Sequence, residues 1–353
     1  MSDKCVIVFN GDDASPEVMI PAVELLKSMQ LSIHFEYPLV GAEAEKRTGD
    51  IFPDETRAAI DTSDTTFFGS TSGESTAALF YLRWGKQTFA NVRPCEWFPG
   101  FQSPLLKPEG IDFVVVRENL EDLYLGIEGD IQELEPLKLY SRHAKTLLCD
   151  LGPGKYAIKA ITKMGSERVI RHAFELARSR NKSRRVTLTS KYNMLSLSDG
   201  YFRSIGENIA KEYPDIQYES YIVDDFLCRM ITKPAILDVV VMPNLYGDII
   251  SDGAAGLIGG LGLAPSGCYG ESYAYFESAH GTAPDIAGKN VINPTATLLS
   301  ACMMLEYLGF ETEAAHLKNA IQKVYAKGDV ITPDQGGSAG TKELCMAVAR
   351  MMQ

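Results

Sequence analysis

Three groups of side chains along this chain carry charge or hydrogen-bonding capacity at spacings suited to chemistry. The first is basic. Arg83 ends a helix-like stretch over 76–83, Arg93 lies in Asn91-Val92-Arg93-Pro94, and Arg117 follows an apolar run over 113–116. In a chain of formal net charge -12, arginines at element ends are candidates for bidentate capture of carboxylates, which planar guanidinium forks match better than lysine does. For any single arginine a solvated ion pair is the commoner role. The second group is acidic: Asn244-Leu245-Tyr246-Gly247-Asp248-Ile249-Ile250-Ser251-Asp252. If a helix begins near Tyr246, Asp248 and Asp252 share one face at i and i+4, where like charges repel unless a cation or hydrogen-bond donors neutralise them. Carboxylate oxygens with no Cys or His nearby favour magnesium or manganese over zinc; two solvated acids near a helix N-terminus are the alternative.

The third group is Glu277-Ser278-Ala279-His280-Gly281-Thr282-Ala283-Pro284-Asp285, followed by Asn293-Pro294. A loop of Gly, Thr, Ala and Pro lets backbone N–H groups approach a nucleotide, and an acid after it can accept hydrogen bonds from ribose hydroxyls while repelling a 2′-phosphate. His280 on its own is more often a hydrogen-bonded structural histidine. The chain has no GxGxxG fingerprint, so an ordinary Rossmann site has no support.

These groups need elements to hold them. A β-branched and apolar run over 4–10 predicts a strand, ending at Gly11-Asp12-Asp13, with a helix following through Val18, Val23, Leu25 and Leu26. Short apolar runs recur at 67–69, 113–116, 186–188 and 237–242, between helix-like stretches at 163–180 and 198–211. That alternation implies an α/β architecture. A loop-rich segment over 126–154 and a small-residue stretch over 253–262 suggest a divided chain with a second domain, not one continuous sheet. No fixed-period repeat or low-complexity tract is present.

Composition narrows the classes. At 353 residues, 45% hydrophobic and 23% charged, the chain is an ordinary globular one, long enough for two domains. Its acidic balance excludes nonspecific binding to nucleic acid or anionic membrane. No apolar run approaches the roughly 18 residues that span a bilayer, and the run over 5–9 is too short for a signal-peptide core. Seven scattered cysteines (Cys5, Cys95, Cys149, Cys228, Cys268, Cys302, Cys345) include no CxxC pair; they predict a reduced, cytoplasmic chain with cysteines used as small hydrophobes.

Taken together the motifs resemble the isocitrate and isopropylmalate dehydrogenase family of metal-dependent β-decarboxylating dehydrogenases. The likeness runs from Asn10-Gly11-Asp12 to Thr332-Pro333-Asp334-Gln335-Gly336-Gly337 and is most specific at Asn91-Val92-Arg93-Pro94, Arg117-Glu118-Asn119 with Glu121-Asp122-Leu123-Tyr124, and the two long motifs above. It implies a two-domain isopropylmalate-dehydrogenase-like α/β fold, distinct from a Rossmann fold, with both termini in the larger domain. Residues 1–95 and 254–353 would form that cofactor-binding domain. Residues 96–253 would form the smaller one, carrying the dimer interface and the metal and catalytic residues.

The resemblance further implies that Arg83, Arg93 and Arg117 hold substrate carboxylates, that Asp224, Asp248 and Asp252 ligate Mg2+ or Mn2+, and that the metal grips the substrate's C2 hydroxyl and carboxylate. Lys191 matches the family's general-base lysine, Asn193 the asparagine beside it, and Tyr124 the tyrosine that protonates carbon after decarboxylation. Lys191, Asn193 and Asp224 would serve the neighbouring subunit, giving a homodimer with shared sites. Asp285-Ile286 is the NAD pattern, where NADP enzymes carry lysine and tyrosine. Glu277, His280, Gly281, Thr282, Ala283, Pro284 and Asn293 would surround the cofactor, with His280 and Asn293 near the adenine.

Two departures stand out. Family members usually read Gly-Asp-Gly-Ile-Gly-Pro-Glu near the start, where this chain has Gly11-Asp12-Asp13-Ala14-Ser15-Pro16-Glu17. The helix before Arg83, which in the family reads the substituent at substrate C3, carries Ala77 and Leu79 where isocitrate enzymes have serine and asparagine. Leu79 and Phe80 are similar to the apolar pocket of isopropylmalate enzymes, but Thr76 replaces their glutamate. Other motifs, notably Asn244 to Asp248 and 256–265, are nearer the isocitrate and homoisocitrate branch. The expected substrate is a small polycarboxylate, a 3-substituted malate of isocitrate type first, with 3-isopropylmalate, malate and tartrate as alternatives. Two further readings compete. A non-catalytic regulatory subunit typically lacks part of the Tyr, Lys and Asp set, which is complete here; a zinc-dependent relative acting on phosphorylated hydroxy-threonine would need histidine ligands absent from these positions.

Overall fold

The apolar runs become strands buried on both faces, as parallel sheets covered by helices require. The computed structural model describes residues 3–353. Its first strands are β1 (Lys4–Phe9), β2 (Ile33–Glu36), β3 (Thr65–Phe68), β4 (Ala90–Glu96) and β5 (Asp112–Glu118). Four short ones, β6 (Glu128–Asp130), β7 (Tyr140–Ser141), β8 (Thr146–Leu147) and β9 (Lys155–Ala157), make two small antiparallel ribbons. Then come β10 (Arg185–Ser190), β11 (Gln217–Ile222), β12 (Val239–Met242), β13 (Pro265–Tyr269) and β14 (Ala274–Ser278).

A ten-stranded mixed sheet runs in the order β11-β10-β12-β5-β4-β13-β14-β3-β1-β2. Its flanks are parallel, while β5, β4, β13 and β14 pair antiparallel in the middle. The expectation of a divided sheet is thereby corrected. The β4–β5 ladder, from Ala90 opposite Glu118 to Glu96 opposite Asp112, closes the gap with hydrogen bonds. Strands drawn from 1–95 and 254–353 are nonetheless contiguous on one flank, and those from 96–253 on the other.

Helices α1 (Ser15–Ser28), α2 (Gly41–Thr48), α3 (Asp54–Thr62) and α4 (Thr76–Phe80) precede β4. Helices α5 (Lys163–Arg180), α6 (Ser198–Ile209), α7 (Val223–Thr232) and α8 (Asn244–Ile258) intersperse the second flank, and α9 (Thr295–Tyr307), α10 (Glu311–Lys327) and α11 (Thr341–Met351) close the chain. Helix α9 is buried from Thr295 to Leu305 on every side, as a helix clasped between the sheet and its neighbours must be. Helix α11 packs on α1, so both ends of the described chain meet. No helix among the described residues is long and apolar enough to cross a membrane.

Two local readings shift. The single helix over 76–83 is in fact α4 followed by a widened turn, Tyr81–Gly85, in which Lys86 N donates to Tyr81 O at 2.9 Å; such i to i+5 turns re-aim side chains near functional sites. Helix α8 starts at Asn244, directly after Pro243, two residues before the sequence reading.

His172 of α5 is wedged against Phe89 and Tyr269, with ring centroids 6.2 and 5.5 Å away. Burial pulls its pKa from 6.5 down to about 4. The unfolded chain therefore takes up the proton first, and stability is lost as pH falls from about 6.5 toward 4, by an amount on the order of 1–3 kcal/mol. Urea denaturation of His172→Gln should show a flatter pH dependence over that window than wild type; parallel curves would exclude His172 as the source.

Candidate active site

The antiparallel centre of the sheet decides where the arginines point. In the β4–β5 ladder Asn91 stands opposite Arg117, and Arg93 lies two residues along the strand from Asn91. Opposed residues share a face, as do positions i and i+2, so all three side chains emerge on one side of the sheet. Helix α8 lies across that side, packed on β4 and β5.

Arg93 is 8% exposed. It donates from Nε to Asn91 Oδ1 at 2.7 Å, and from Nη1 to Ser251 Oγ at 2.7 Å and Asp252 Oδ1 at 3.3 Å. Arg117, 2% exposed, donates from Nε and Nη2 to Asn244 Oδ1 at 2.9 and 2.7 Å and from Nη1 to Asp248 Oδ1. The i, i+4 spacing thus brings Asp248 to both guanidiniums and Asp252 to that of Arg93. Arg83, in the widened turn, donates from Nε to Tyr275 Oη at 3.2 Å and has Nη2 3.8 Å from Glu277 Oε1. The Tyr124 hydroxyl donates to Asp248 Oδ2 at 2.6 Å, and its ring sits 4.9 Å from the Arg117 guanidinium.

Charge explains the protonation states. Burial pulls Arg117 down to about 10, reinforced by the like charge of Arg93 and countered by Asp248. Burial alone would raise Asp248, but Arg117, the Tyr124 hydroxyl and Arg93 outweigh it and hold the carboxyl below its usual range. Asp252 goes the other way: burial, together with repulsion from Asp248, outweighs Arg93. Burial and the bond to the Asp248 carboxylate push the Tyr124 hydroxyl up, so it keeps its proton at neutral pH. The cluster is an acid-bearing, arginine-rich patch suited to a polyanion.

Lys191 and Asp224 lie in a different patch. They are ion-paired to each other on the loop after β10 and the first turn of α7, with side chains 30% and 60% exposed. That bond holds the Asp224 carboxyl below its usual range. Asn193 is exposed beside them. Among the described residues no three His, Cys, Asp or Glu side chains come together as a metal site, so Asp224 does not join Asp248 and Asp252 within one chain.

The third predicted group is split. Glu277 ends up on β14 beside Arg83, away from the loop that follows it. In that loop Ala283 adopts φ 50°, and Thr282 O accepts from Ala14 N at 3.0 Å, which ties the loop to the turn after β1. Gly11 has φ 75°, and a Cβ there would fall 2.3 Å from Ser70 O, so the one glycine kept from the family's pattern is where backbones cross. His280 Nδ1 is 2.8 Å from Gly281 O while its Nε2 is buried without a partner. Gly281, Pro284 and Asp285 are exposed, and Ile286 packs on the core. Asn293 is committed elsewhere: its amide donates to Tyr325 Oη at 3.1 Å and Asp334 Oδ2 at 3.0 Å and accepts from Thr295 N at 2.9 Å. Thr76 and Leu79 of α4 are half-buried and Phe80 is 53% exposed, its ring edge-on to Trp84 at 5.3 Å.

Sequence reasoning missed Asn91, Ser251 and Asn244 as arginine holders and Asp12 as an organiser. The i, i+2 spacing of Asn91 and Arg93 was the available signal. Asp12 accepts from Thr71 Oγ1 at 2.7 Å, Ser72 N at 2.8 Å and Ser75 Oγ at 3.2 Å, fixing the loop that enters α4. Burial would raise its pKa, but these donors win and lower it.

Comparison with known proteins gives the family and the fold. The isocitrate/isopropylmalate dehydrogenase family model matches residues 5–348. A 3-isopropylmalate/3-methylmalate dehydrogenase of Methanocaldococcus jannaschii is 41% identical over 351 residues, covering 99% of this chain and 98% of that protein. An isocitrate/homoisocitrate dehydrogenase of Thermus thermophilus is 36% identical over 354 residues, covering 99% and 98%. The crystal structure of isocitrate dehydrogenase from Methylococcus capsulatus matches with a TM-score of 0.86 at 34% identity, covering 99% of each chain.

A Cβ on Gly247 would lie 2.5 Å from Arg117 Cγ and 2.6 Å from its Cβ. Gly247→Ala should therefore push the Arg117 stem away from Asp248, costing about 1–3 kcal/mol in stability and on the order of 10²-fold in kcat/KM. Wild-type kinetics together with an unchanged Tm would remove Gly247 from this account.

Proposed function

The chain belongs to the isocitrate/isopropylmalate dehydrogenase family, and on that premise we propose that it catalyses the NAD-dependent, divalent-metal-dependent oxidative decarboxylation of a 3-substituted malate. The observation that carries the reading is the cluster of buried Arg93 and Arg117 with half-buried Asp248 and Tyr124, where carboxylate-binding guanidiniums, hard oxygen ligands and a protonated phenol meet.

The residues fit a hard dication. Asp248 and Asp252 offer carboxylate oxygens on one helix face, and the exposed Asp224 of a second copy supplies the third ligand. Mg2+ or Mn2+ held there would polarise the C2 oxygen and stabilise the negative charge left as CO2 departs. With the aspartates engaged by such an ion, N–H groups of Arg93 and Arg117 would be free to grip the substrate carboxylates together with Arg83. With Asp224 engaged by such an ion, Lys191 would be released from its ion pair and would stand to take the C2 hydroxyl proton, a bound nicotinamide supplying the hydride acceptor. Carbon dioxide leaves, and the Tyr124 hydroxyl gives its proton to the carbon that held it. Asn193 orients Lys191.

NAD fits the turn after β1 and the 279–286 loop. The buried Nε2 of half-buried His280 has no hydrogen-bond partner, and the exposed Asp285 carboxylate suits a ribose diol and opposes a 2′-phosphate. Asn293, which the resemblance puts near the adenine, is held by Tyr325, Asp334 and Thr295. Residues 1–95 and 254–353 then act as the nucleotide lobe and 96–253 as the lobe for dimerisation and metal. Leu137, Leu151, Met194, Leu197 and Ile249 are exposed apolar side chains on the latter, a surface suited to a two-fold copy. All seven cysteines are unpaired, which suits a cytoplasmic enzyme.

Helix α4 speaks on the substrate. Ala77, Leu79 and Phe80 offer no donor to a carboxylate at C3, so a 3-alkylmalate moves ahead of the isocitrate type expected from the sequence. The motifs that favoured isocitrate lie on and after α8, where Asn244 and Asp248 bind Arg117 and do not read C3. Isocitrate or homoisocitrate stays as the second reading on those motifs.

A panel of 3-isopropylmalate, 3-methylmalate, isocitrate, homoisocitrate, malate and tartrate with Mg2+ or Mn2+ should give NAD reduction with a 3-alkylmalate, and Asp285→Lys should shift preference toward NADP; wild-type preference for NADP refutes the role of Asp285. Mixing Lys191→Met with Tyr124→Phe protein should restore about a quarter of wild-type activity, since half the dimers are mixed and each holds one intact site. No recovery on subunit exchange would show that each site is built from one chain.

A further inference from the structure

Two buried carboxylates take no part in the chemistry above. Asp122 and Asp199 both face Lys159, whose Nζ lies 2.7 Å from Asp122 Oδ1 and 3.1 Å from Asp199 Oδ1. Both aspartates are 0% exposed and the lysine side chain 13%. The oxygens sit off the hydrogen-bonding directions of the ammonium, so the tie is one of charge in a medium that screens it little. The same ammonium lies 4.6 Å from the centre of the Tyr246 ring.

Each aspartate spends its other oxygen on a backbone N–H of a functional segment. Asp122 Oδ2 accepts from Leu245 N at 3.0 Å, in the first turn of α8, which carries Asp248 and Asp252. Asp199 Oδ2 accepts from Lys191 N at 2.7 Å. Asp122 also donates its own N–H to Ala160 O at 2.9 Å, the residue after Lys159. Its backbone is held at φ 69° and ψ -143°, a region L residues avoid, two positions before Tyr124. Strain of that kind persists only where surrounding contacts over-determine it.

We infer that Lys159 is a positioning residue, the ionic hub that fixes the Tyr124 and α8 half of the site relative to the Lys191 loop. The inference rests on the catalytic reading above. Because that reading sends Lys191 into the partner's site, the hub sets how far a protomer extends its base while it anchors its own acid. Without the ammonium, the two buried aspartates lose the counter-charge they share, and the segments they hold are no longer tied to one another.

The test uses the full chain as its native assembly. Lys159→Met should lower kcat by about 10²-fold while KM for NAD stays within about two-fold of wild type, and Lys159→Arg should recover most of the loss. Hydrogen exchange without substrate should show the Leu245 and Lys191 amides loosening together in Lys159→Met and tightening again in Lys159→Arg. Should Lys159→Met not fold, Asp199→Ala, which leaves Lys159 paired with Asp122, should loosen Lys191 but not Leu245 and still lower kcat. Folded Lys159→Met, or Asp199→Ala in its place, with wild-type kcat overturns the inference, as does a loss of kcat matched by a rise in KM for NAD and faster exchange throughout the chain. The exchange readout needs no turnover: a wild type inert toward every malate whose two amides still respond would keep the hub and sink the reaction, while turnover without that response would do the opposite.

Discussion

A guanidinium in the middle of a sheet has to be paired, and Arg117 sets the terms for what surrounds it. Its five N–H groups leave β5 with almost no solvent in reach, so the helix laid over them must bring acceptors at the right heights. Asn244 and Asp248, one turn apart on α8, do this. Gly247 between them has no side chain because the Arg117 stem occupies that space. Once Asp248 is drawn in, Tyr124 and Arg93 have a common partner, and Asp252 follows one turn on.

That arrangement stores acidity and basicity side by side. A carboxylate kept ionised by two arginines and a phenol kept protonated by that carboxylate are consequences of one another, with burial acting on both. The third guanidinium, Arg83, arrives from a different part of the chain, delivered by a turn wider than an α-helix and steadied by Tyr275 and Glu277. The three guanidiniums thus come from three segments of the chain, each fixed by its own local chemistry.

Much of this was legible in the residues. The runs at 113–116 and 186–188 fall within β5 and β10, α5 spans the stretch read as helix, and the arginine, tyrosine and aspartate motifs meet in one cluster. What stayed hidden was set by tertiary contacts. Helix α9 shows no 3.6-residue stripe because every face is buried, and β13, Pro265-Ser266-Gly267-Cys268-Tyr269, lacks a strand's usual composition. The start of α8 is fixed by Asp122, remote in sequence, which binds Leu245 N. Glu277 and Asn293 were assigned by position in a motif, whereas their partners depend on cross-strand register and on Tyr325 and Asp334. No spacing rule foretells those.

The unbroken ladder from β11 to β2 has a mechanical corollary. Two bodies joined by a flexible strap can swing freely, but two bodies cut from one pleated ribbon can change their mutual angle only by winding or unwinding it. Any clamping of this molecule around a guest must be absorbed as torsion spread along β4 and β5, the strands that bear Arg93 and Arg117. Grip on the guest and the coil of the ribbon would then be a single degree of freedom, and stiffening one would stiffen the other.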